Sequence, residues 1–180
     1  MDIKKTLANL QAAFNGESNA GAKYAAFAKT AAAEGYLGVA RLFEAACKAE
    51  EFHARNHAQV IRSLGGVPKA DIQTPAPGDT RANLAAAIAG ETYERDVMYP
   101  GFVEEARTQK IAAAVRTFSL ALKVEAEHAA LYQAALDNLD AWKAARQFLV
   151  CTVCGSTMDG KAPPRCGVCG APAEKFITVG

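Results

Sequence analysis

The chain has no long apolar run. None of its stretches approaches the roughly 18 consecutive apolar residues that mark a membrane-spanning helix, so no transmembrane segment is expected. It also has almost no net charge. Its 20 Lys and Arg against 19 Asp and Glu leave +1 at neutral pH, which gives nucleic acid or a membrane surface no electrostatic footing. The start, Met1-Asp2-Ile3-Lys4-Lys5, leads into amphipathic sequence without the apolar core of a secretory signal. A cytoplasmic location is the expectation. Cysteine is sparse, and four of the five stand in two pairs, Cys151-x-x-Cys154 and Cys166-x-x-Cys169. Without an export signal, such pairs read as metal or redox sites rather than disulfides. Cys47 stands alone and reads as a small buried apolar residue.

What the chain does have is alanine at helical spacing. Ile3, Leu7, Leu10, Phe14, Ala20, Tyr24 and Phe27 recur along one face of a helix over 3–33, and Gly35 is a plausible stop. A second helix is expected over 36–64, ending at Gly65-Gly66-Val67-Pro68. Residues 65–79 are too polar and Pro-rich for an element. Asp79 or Thr80 can cap a third helix running to about 107, with a kink or local irregularity where Pro100 falls inside it. A fourth helix is expected over 109–145. At Phe148 the texture changes to Cys, Gly, Pro and Thr. A segment of 148–180 is too small to fold on burial alone and calls for a metal staple. The division expected is therefore a helical domain over 1–146 and a tetrathiolate domain over 147–180.

The helices repeat. Gly16-Glu17-Ser18 returns 74 positions on as Gly90-Glu91-Thr92, and Glu50-Glu51-Phe52-His53-Ala54 returns 75 positions on as Glu125-Ala126-Glu127-His128-Ala129. Residues three apart on a helix share a face, one turn apart. Two Glu-x-x-His pairs, Glu50…His53 and Glu125…His128, with a carboxylate from each of two other helices, form the ligand set of a di-metal carboxylate bundle. Two helical hairpins would place two metals about a pseudo-twofold axis. The long 65–79 connection lets the second hairpin cross over.

Five carboxylates (Glu17, Glu50, Glu91, Glu94 and Glu125) in an apolar bundle are costly unless neutralised. Two ferrous ions bring four positive charges and two ferric ions six, so the set tolerates a redox change. Oxygen ligands with some imidazole suit iron or manganese. Glu51 and Glu127 lie one residue from a ligand and point about 100° off the ligand face, so they read as solvated or supporting. His57, one turn beyond His53, reads as a surface histidine. The repeat fails at one place: Glu94 has Ala20 as its counterpart, which gives the second hairpin an additional carboxylate.

Cys-x2-Cys-x11-Cys-x2-Cys is a tetrathiolate pattern suited to zinc or to a single iron. Gly155 and Gly170 follow each pair, where a backbone amide can turn toward a sulfur.

The stretches Gly16-Glu17-Ser18, Ala49-Glu50-Glu51-Phe52-His53-Ala54, Gly90-Glu91-Thr92-Tyr93-Glu94, Met98-Tyr99-Pro100-x-Phe102 and Glu125-Ala126-Glu127-His128, with the two CxxCG knuckles, resemble the rubrerythrins over essentially the whole chain. The resemblance implies a mainly α fold, a ferritin-like four-helix bundle followed by a small rubredoxin-like domain. It implies two irons held by Glu17, Glu50, Glu91, Glu94, Glu125 and His128. His53 would exchange with Glu94 as the site is reduced, which makes Glu94 and His53 the catalytic pair. It implies a third iron, or zinc, on Cys151, Cys154, Cys166 and Cys169. The activity implied is reduction of hydrogen peroxide to water in oxidative-stress defence, fed by a rubredoxin or an NAD(P)H-dependent reductase. The assembly implied is a homodimer, with or without exchange of helix pairs, in which one chain's rubredoxin domain serves the other chain's di-iron site. Ser156 and Gly167 stand where the family commonly has an aromatic and a proline, and the spacer between knuckles is short. Tyr24 and Tyr99 are candidate proton donors. The alternative is a ferroxidase or iron-handling ferritin-like protein with a structural zinc ribbon.

Overall fold

The computed structural model describes residues 3–180; Met1 and Asp2, part of the N-terminal stretch read above, lie outside the described residues. Helix α1 spans Lys4–Ala33 and α2 spans Leu37–Ser63, joined by a tight turn in which Gly35 takes φ +84°. This is the left-handed conformation that glycine adopts without a Cβ penalty. Residues 65–79 hold no helix or strand. They run along α1, whose side chains satisfy their backbone: Asn15 Oδ1 accepts from Asp71 N and Asn19 Oδ1 from Gln73 N, each at 2.8 Å. The connection therefore returns along the bundle before the second hairpin begins.

Helix α3, Thr80–Tyr93, starts at Asp79, whose carboxylate accepts from Ala82 N at 2.7 Å. The irregularity expected near Pro100 is a π-helical turn over Glu94–Met98, followed by α4 over Tyr99–Thr108. Tyr99 N–H closes the turn on the Glu94 carbonyl, five residues back, and Pro100 sits in the first turn of α4, where its missing N–H costs nothing. Helix α5 covers Ala112–Asp137, shorter at both ends than the 109–145 expected. Lys110 takes φ +57°, which delays the start. At Asn138 (φ −141°) the chain leaves the helix for a 3-10 turn, Leu139–Trp142, that buries Leu139 and Trp142 in the bundle core.

The four rods bury two apolar cores. One contains Tyr24, Phe27, Phe43, Leu84 and Tyr132; the other contains Leu10, Ile61, Tyr99, Val103 and Phe118. On every helix the Glu and His residues of interest fall in sequence between members of these two cores. The ligand layer therefore lies across the middle of the bundle, sealed on both sides.

Strands β1 (Phe148–Cys151), β2 (Thr157–Asp159) and β3 (Phe176–Val179) form an antiparallel sheet in the order β2-β1-β3. Phe148 and Val150 join the bundle core. Cys151, Cys154 and Cys166 cluster with Val124 of α5. The cysteine lobe thus shares its core with the helices, which adds to the metal staple expected from its size. Among the described residues no helix is long and apolar enough to cross a membrane.

Candidate metal centres

Two overlapping groups of ligand atoms converge in the bundle. Glu17, Glu50, His53 and Glu125 form one, and Glu50, Glu91, Glu125 and His128 form the other; within each, ligand atoms lie within 4.8 Å of one another and all residues are buried. Glu50 and Glu125 belong to both. The two hairpins contribute equivalent parts, as their repeat requires, with Glu17 and His53 facing Glu91 and His128 across the shared pair.

The polar atoms of this layer fit a pair of cations. Glu17 Oε2, both Glu50 oxygens, His53 Nδ1, Glu91 Oε2, both Glu125 oxygens and His128 Nδ1 are buried without a hydrogen-bond partner. Buried polar atoms in folded proteins are almost always paired. Unpaired acceptors converging from four helices are the donor set of a hard-to-borderline metal. Burial, then the neighbouring carboxylates, raises Glu17 and Glu91 well above the usual carboxylate range. Burial alone lowers His53 and His128, but the facing carboxylates outweigh it and raise both. The same two imidazoles outweigh burial at Glu125 and lower it.

The second nitrogen of each site histidine is held by the cysteine lobe. His53 Nε2 lies 2.9 Å from the Cys154 carbonyl, which can only accept, so Nε2 carries a proton and Nδ1 is the nitrogen that faces the site, where its lone pair is available to a metal once its own proton is displaced. His128 Nε2 lies 3.1 Å from Thr157 Oγ1, and that hydroxyl donates to the Gly155 carbonyl at 2.9 Å. Thr157 must therefore accept from His128, which fixes the same orientation. Such outer partners orient a ligating imidazole. Neither Thr157 nor the Cys154 carbonyl was legible in the sequence, because nothing in a CxxC motif says which surface its backbone will meet.

Other contacts seat the lobe. Arg55 Nη2 donates to Thr152 O at 2.5 Å and Asn56 Nδ2 to Val153 O at 2.8 Å. Glu127 accepts from Thr157 N at 3.2 Å, which gives this residue a supporting role. Glu51 is exposed and pairs with Lys48. Gly155 takes φ +84°, and a Cβ there would lie 2.6 Å from His53 Nε2.

Glu94 is not among the atoms of either group. It begins the π turn with its carboxyl near Gly16, and its pKa is raised by burial, then by Glu17 and the other site carboxylates. His53, not Glu94, occupies the first group. The reading of His57 as a surface histidine is corrected: it is fully buried, packed against Phe118 and Tyr99, because α2 is enclosed by α1 and α5 on that face. Cys47 is half-buried at the edge of the core.

The four remaining cysteines form a third group. Cys151 Sγ lies 3.7 Å from Cys169 Sγ, and Cys154 Sγ 3.6 Å from Cys166 Sγ. The knuckle glycines behave differently from expectation. Gly155 and Gly170 N–H donate to the carbonyls of Cys151 and Cys166, and it is the amides of Val153 and Cys154 that face the Cys151 sulfur. The proton of Cys154, with those amides, holds the Cys151 thiol down to about 5.

A family profile described as "Rubrerythrin" matches residues 8–136, and one described as "Rubrerythrin, rubredoxin-like domain" matches 150–177. The chain belongs to the rubrerythrin family. It is 37% identical to nigerythrin of Nitratidesulfovibrio vulgaris over 97% of this chain and 86% of that one. It is 34% identical to rubrerythrin-2 of Clostridium acetobutylicum over 93% and 92%. The structure matches nigerythrin solved in its fully reduced, all-ferrous state with a TM-score of 0.91 at 35% identity, over 99% of this chain and 88% of the other. Bacterioferritin of Mycobacterium tuberculosis, at 21% identity and a TM-score of 0.70, shares the fold of the bundle. The ferritin-like bundle and the rubredoxin-like lobe are thus those of a rubrerythrin, a family with a di-iron site and a four-cysteine site.

In this member the rubredoxin-like lobe packs on the bundle of its own chain.

Proposed function

We propose that the protein is a non-haem di-iron peroxidase that reduces hydrogen peroxide to two waters, taking up two electrons and two protons. One observation carries the reading: the backbone of the tetracysteine knuckle at Cys154 is hydrogen-bonded to His53, whose other nitrogen faces the carboxylate layer. An iron-storage bundle has no use for a thiolate-bound one-electron carrier held against its site. Iron in the bundle would supply two electrons and Lewis acidity for cleavage of the O–O bond. It would be held by Glu17, Glu50, His53, Glu91, Glu125 and His128. Cys151, Cys154, Cys166 and Cys169 would hold the third iron, through which electrons return singly.

The protein's own groups set the conditions for that chemistry. The lobe takes the Nε2 proton of both imidazoles and so turns each Nδ1 toward the site. The two apolar cores close the layer at its two ends. Tyr24 donates to Glu91 at 2.5 Å and Tyr99 to Glu17, so each end of the layer carries a hydroxyl proton. A cleft of about 550 Å³ between α1 and α2 is lined by Glu17 and Glu50 and gives a small solute such as peroxide an approach. Glu94, poised beside the layer on the π turn, is the carboxylate that would exchange with His53 when the metal charge changes. The cytoplasm, with a rubredoxin or NAD(P)H-linked reductase as donor and a homodimer as assembly, completes the reading.

The test is anaerobic. Protein reduced at all centres is mixed with hydrogen peroxide or with oxygen in a stopped-flow instrument. Faster oxidation by peroxide, with the tetrathiolate iron returning to its red ferric form, is the expected result. Fast oxidation by oxygen and slow oxidation by peroxide would establish a ferroxidase instead, and a colourless zinc-filled lobe would remove the electron path.

A further inference from the structure

His57 has no place among the ligand atoms, yet it is fully buried and both its ring nitrogens are engaged. Nε2 lies 3.0 Å from the Tyr99 hydroxyl and Nδ1 lies 3.0 Å from Thr117 Oγ1. Tyr99 in turn donates to Glu17 Oε1. At the outer end, Thr117 lines a cleft of about 290 Å³ between α2 and α5, beside Asn56, Gln59 and Arg116. A row of hydrogen bonds thus runs from a solvent-facing cleft to a carboxylate of the metal layer.

With Glu17 ionised, as a metal ligand must be, the direction of every proton in the row follows by elimination. Tyr99 uses its one proton on Glu17, so its oxygen must accept from His57, and Nε2 carries the imidazole proton. A neutral imidazole has only one, so Nδ1 is an acceptor and Thr117 must donate to it. All three donors point inward. Both ring nitrogens of the buried His57 meet hydroxyls, and the Glu17 carboxylate stays 3.8 Å from Nε2, beyond hydrogen-bond reach, which favours the neutral ring.

We propose that Thr117, His57 and Tyr99 form a proton relay from the α2–α5 cleft to the metal layer at Glu17. The inference rests on the peroxidase reading, in which each peroxide reduced takes up two protons with its two electrons. Thr117 accepts a proton from water in the cleft and passes its own to His57 Nδ1. His57 releases the Nε2 proton to Tyr99, and Tyr99 hands its proton to the site at Glu17. Each group gives one proton as it gains one, so the row carries no net charge between turnovers. It resets as the hydroxyls rotate and the imidazole turns over. Thr117 and His57 touch neither substrate nor metal; they act through Tyr99.

Thr117→Val keeps the shape and removes the outermost donor, and Thr117→Ser restores it. Reduced protein mixed with hydrogen peroxide in H₂O and D₂O gives the rate and its isotope effect. T117V is expected to slow oxidation about a hundredfold, at the low end of what positioned proton transfer contributes, and to raise the solvent isotope effect, with T117S close to wild type. A slower T117V with an unchanged isotope effect marks a structural lesion and overturns the relay, as does a T117V that matches wild type. A wild-type protein inert to peroxide overturns the peroxidase reading, and the relay with it. A second readout needs no turnover. In full-length protein loaded with diamagnetic zinc, ¹⁵N chemical shifts should show His57 protonated at Nε2 with a bare Nδ1. A proton on Nδ1 reverses the row and rules the relay out.

Discussion

At the scale of single residues, two positions in the lobe meet the two site histidines. Gly155 is constrained twice, by its φ of +84° and by His53 Nε2 at 2.6 Å from where a Cβ would lie. Gly155→Ala is expected to destabilise the fold by about 1–3 kcal/mol and to slow reduction of the bundle site; denaturant unfolding and anaerobic reduction kinetics measure the two effects. Thr157→Val leaves the His128 Nε2–H without an acceptor and should weaken metal binding about 10–100-fold, read by competition with a chelator. The raised carboxyls set a pH dependence. Burial first, then like charge, lifts Glu17, Glu91 and Glu94 in the metal-free site, so protons occupy groups that a cation must displace. Affinity should fall as pH is lowered through that raised range and climb as it rises, with protons released on loading. Loading that releases no protons into weak buffer would contradict this assignment.

At the scale of elements, the π turn is the feature that separates the second hairpin from the first. In an α-helix, residues five apart diverge by about 140°. Closing Tyr99 N–H on the Glu94 carbonyl brings Glu94 and Tyr99 toward one face, and π turns inside α-helices are often functional. The sequence carried the break in the repeat at Glu94 and the breaker at Pro100, but not their joint result, since the backbone can absorb a proline by a kink as readily as by a wider turn. Cap chemistry was more legible. Asp79 was one of two candidates and its carboxylate takes the Ala82 amide. Asp79→Ala should cost about 1 kcal/mol in chemical denaturation while leaving metal content unchanged.

At the scale of the molecule, the cysteine lobe and the bundle form one body. Trp142 stacks on Phe148 at 6.2 Å, Arg146 lies over Trp142 and pairs with Asp159 at 2.7 Å, and these contacts fix the segment that leads from α5 into β1. Under the proposed function, a lobe seated on its own chain serves its own site. Chains carrying Cys166→Ser mixed with chains carrying Glu91→Ala should then show no recovered peroxidase activity. Recovery toward a quarter or more of wild-type turnover would place the donor lobe on a partner chain.

The sequence by itself determined the bundle, the ligand residue types and the two hairpins, because helical spacing and a 74–75-residue repeat are local regularities that hold wherever the helices end up. That Glu17, Glu50, His53, Glu91, Glu125 and His128 would converge was legible that way, as was the grouping of the four cysteines. Tertiary structure decided what the second nitrogens of the histidines touch, that His57 is enclosed rather than solvated, that Glu94 stands beside the ligand groups, and that the lobe closes on its own bundle. Each of these depends on which surfaces meet across more than 25 residues of chain, from His128 to Thr157 at the nearest. No spacing rule reaches that far; burial and the pairing of polar groups do.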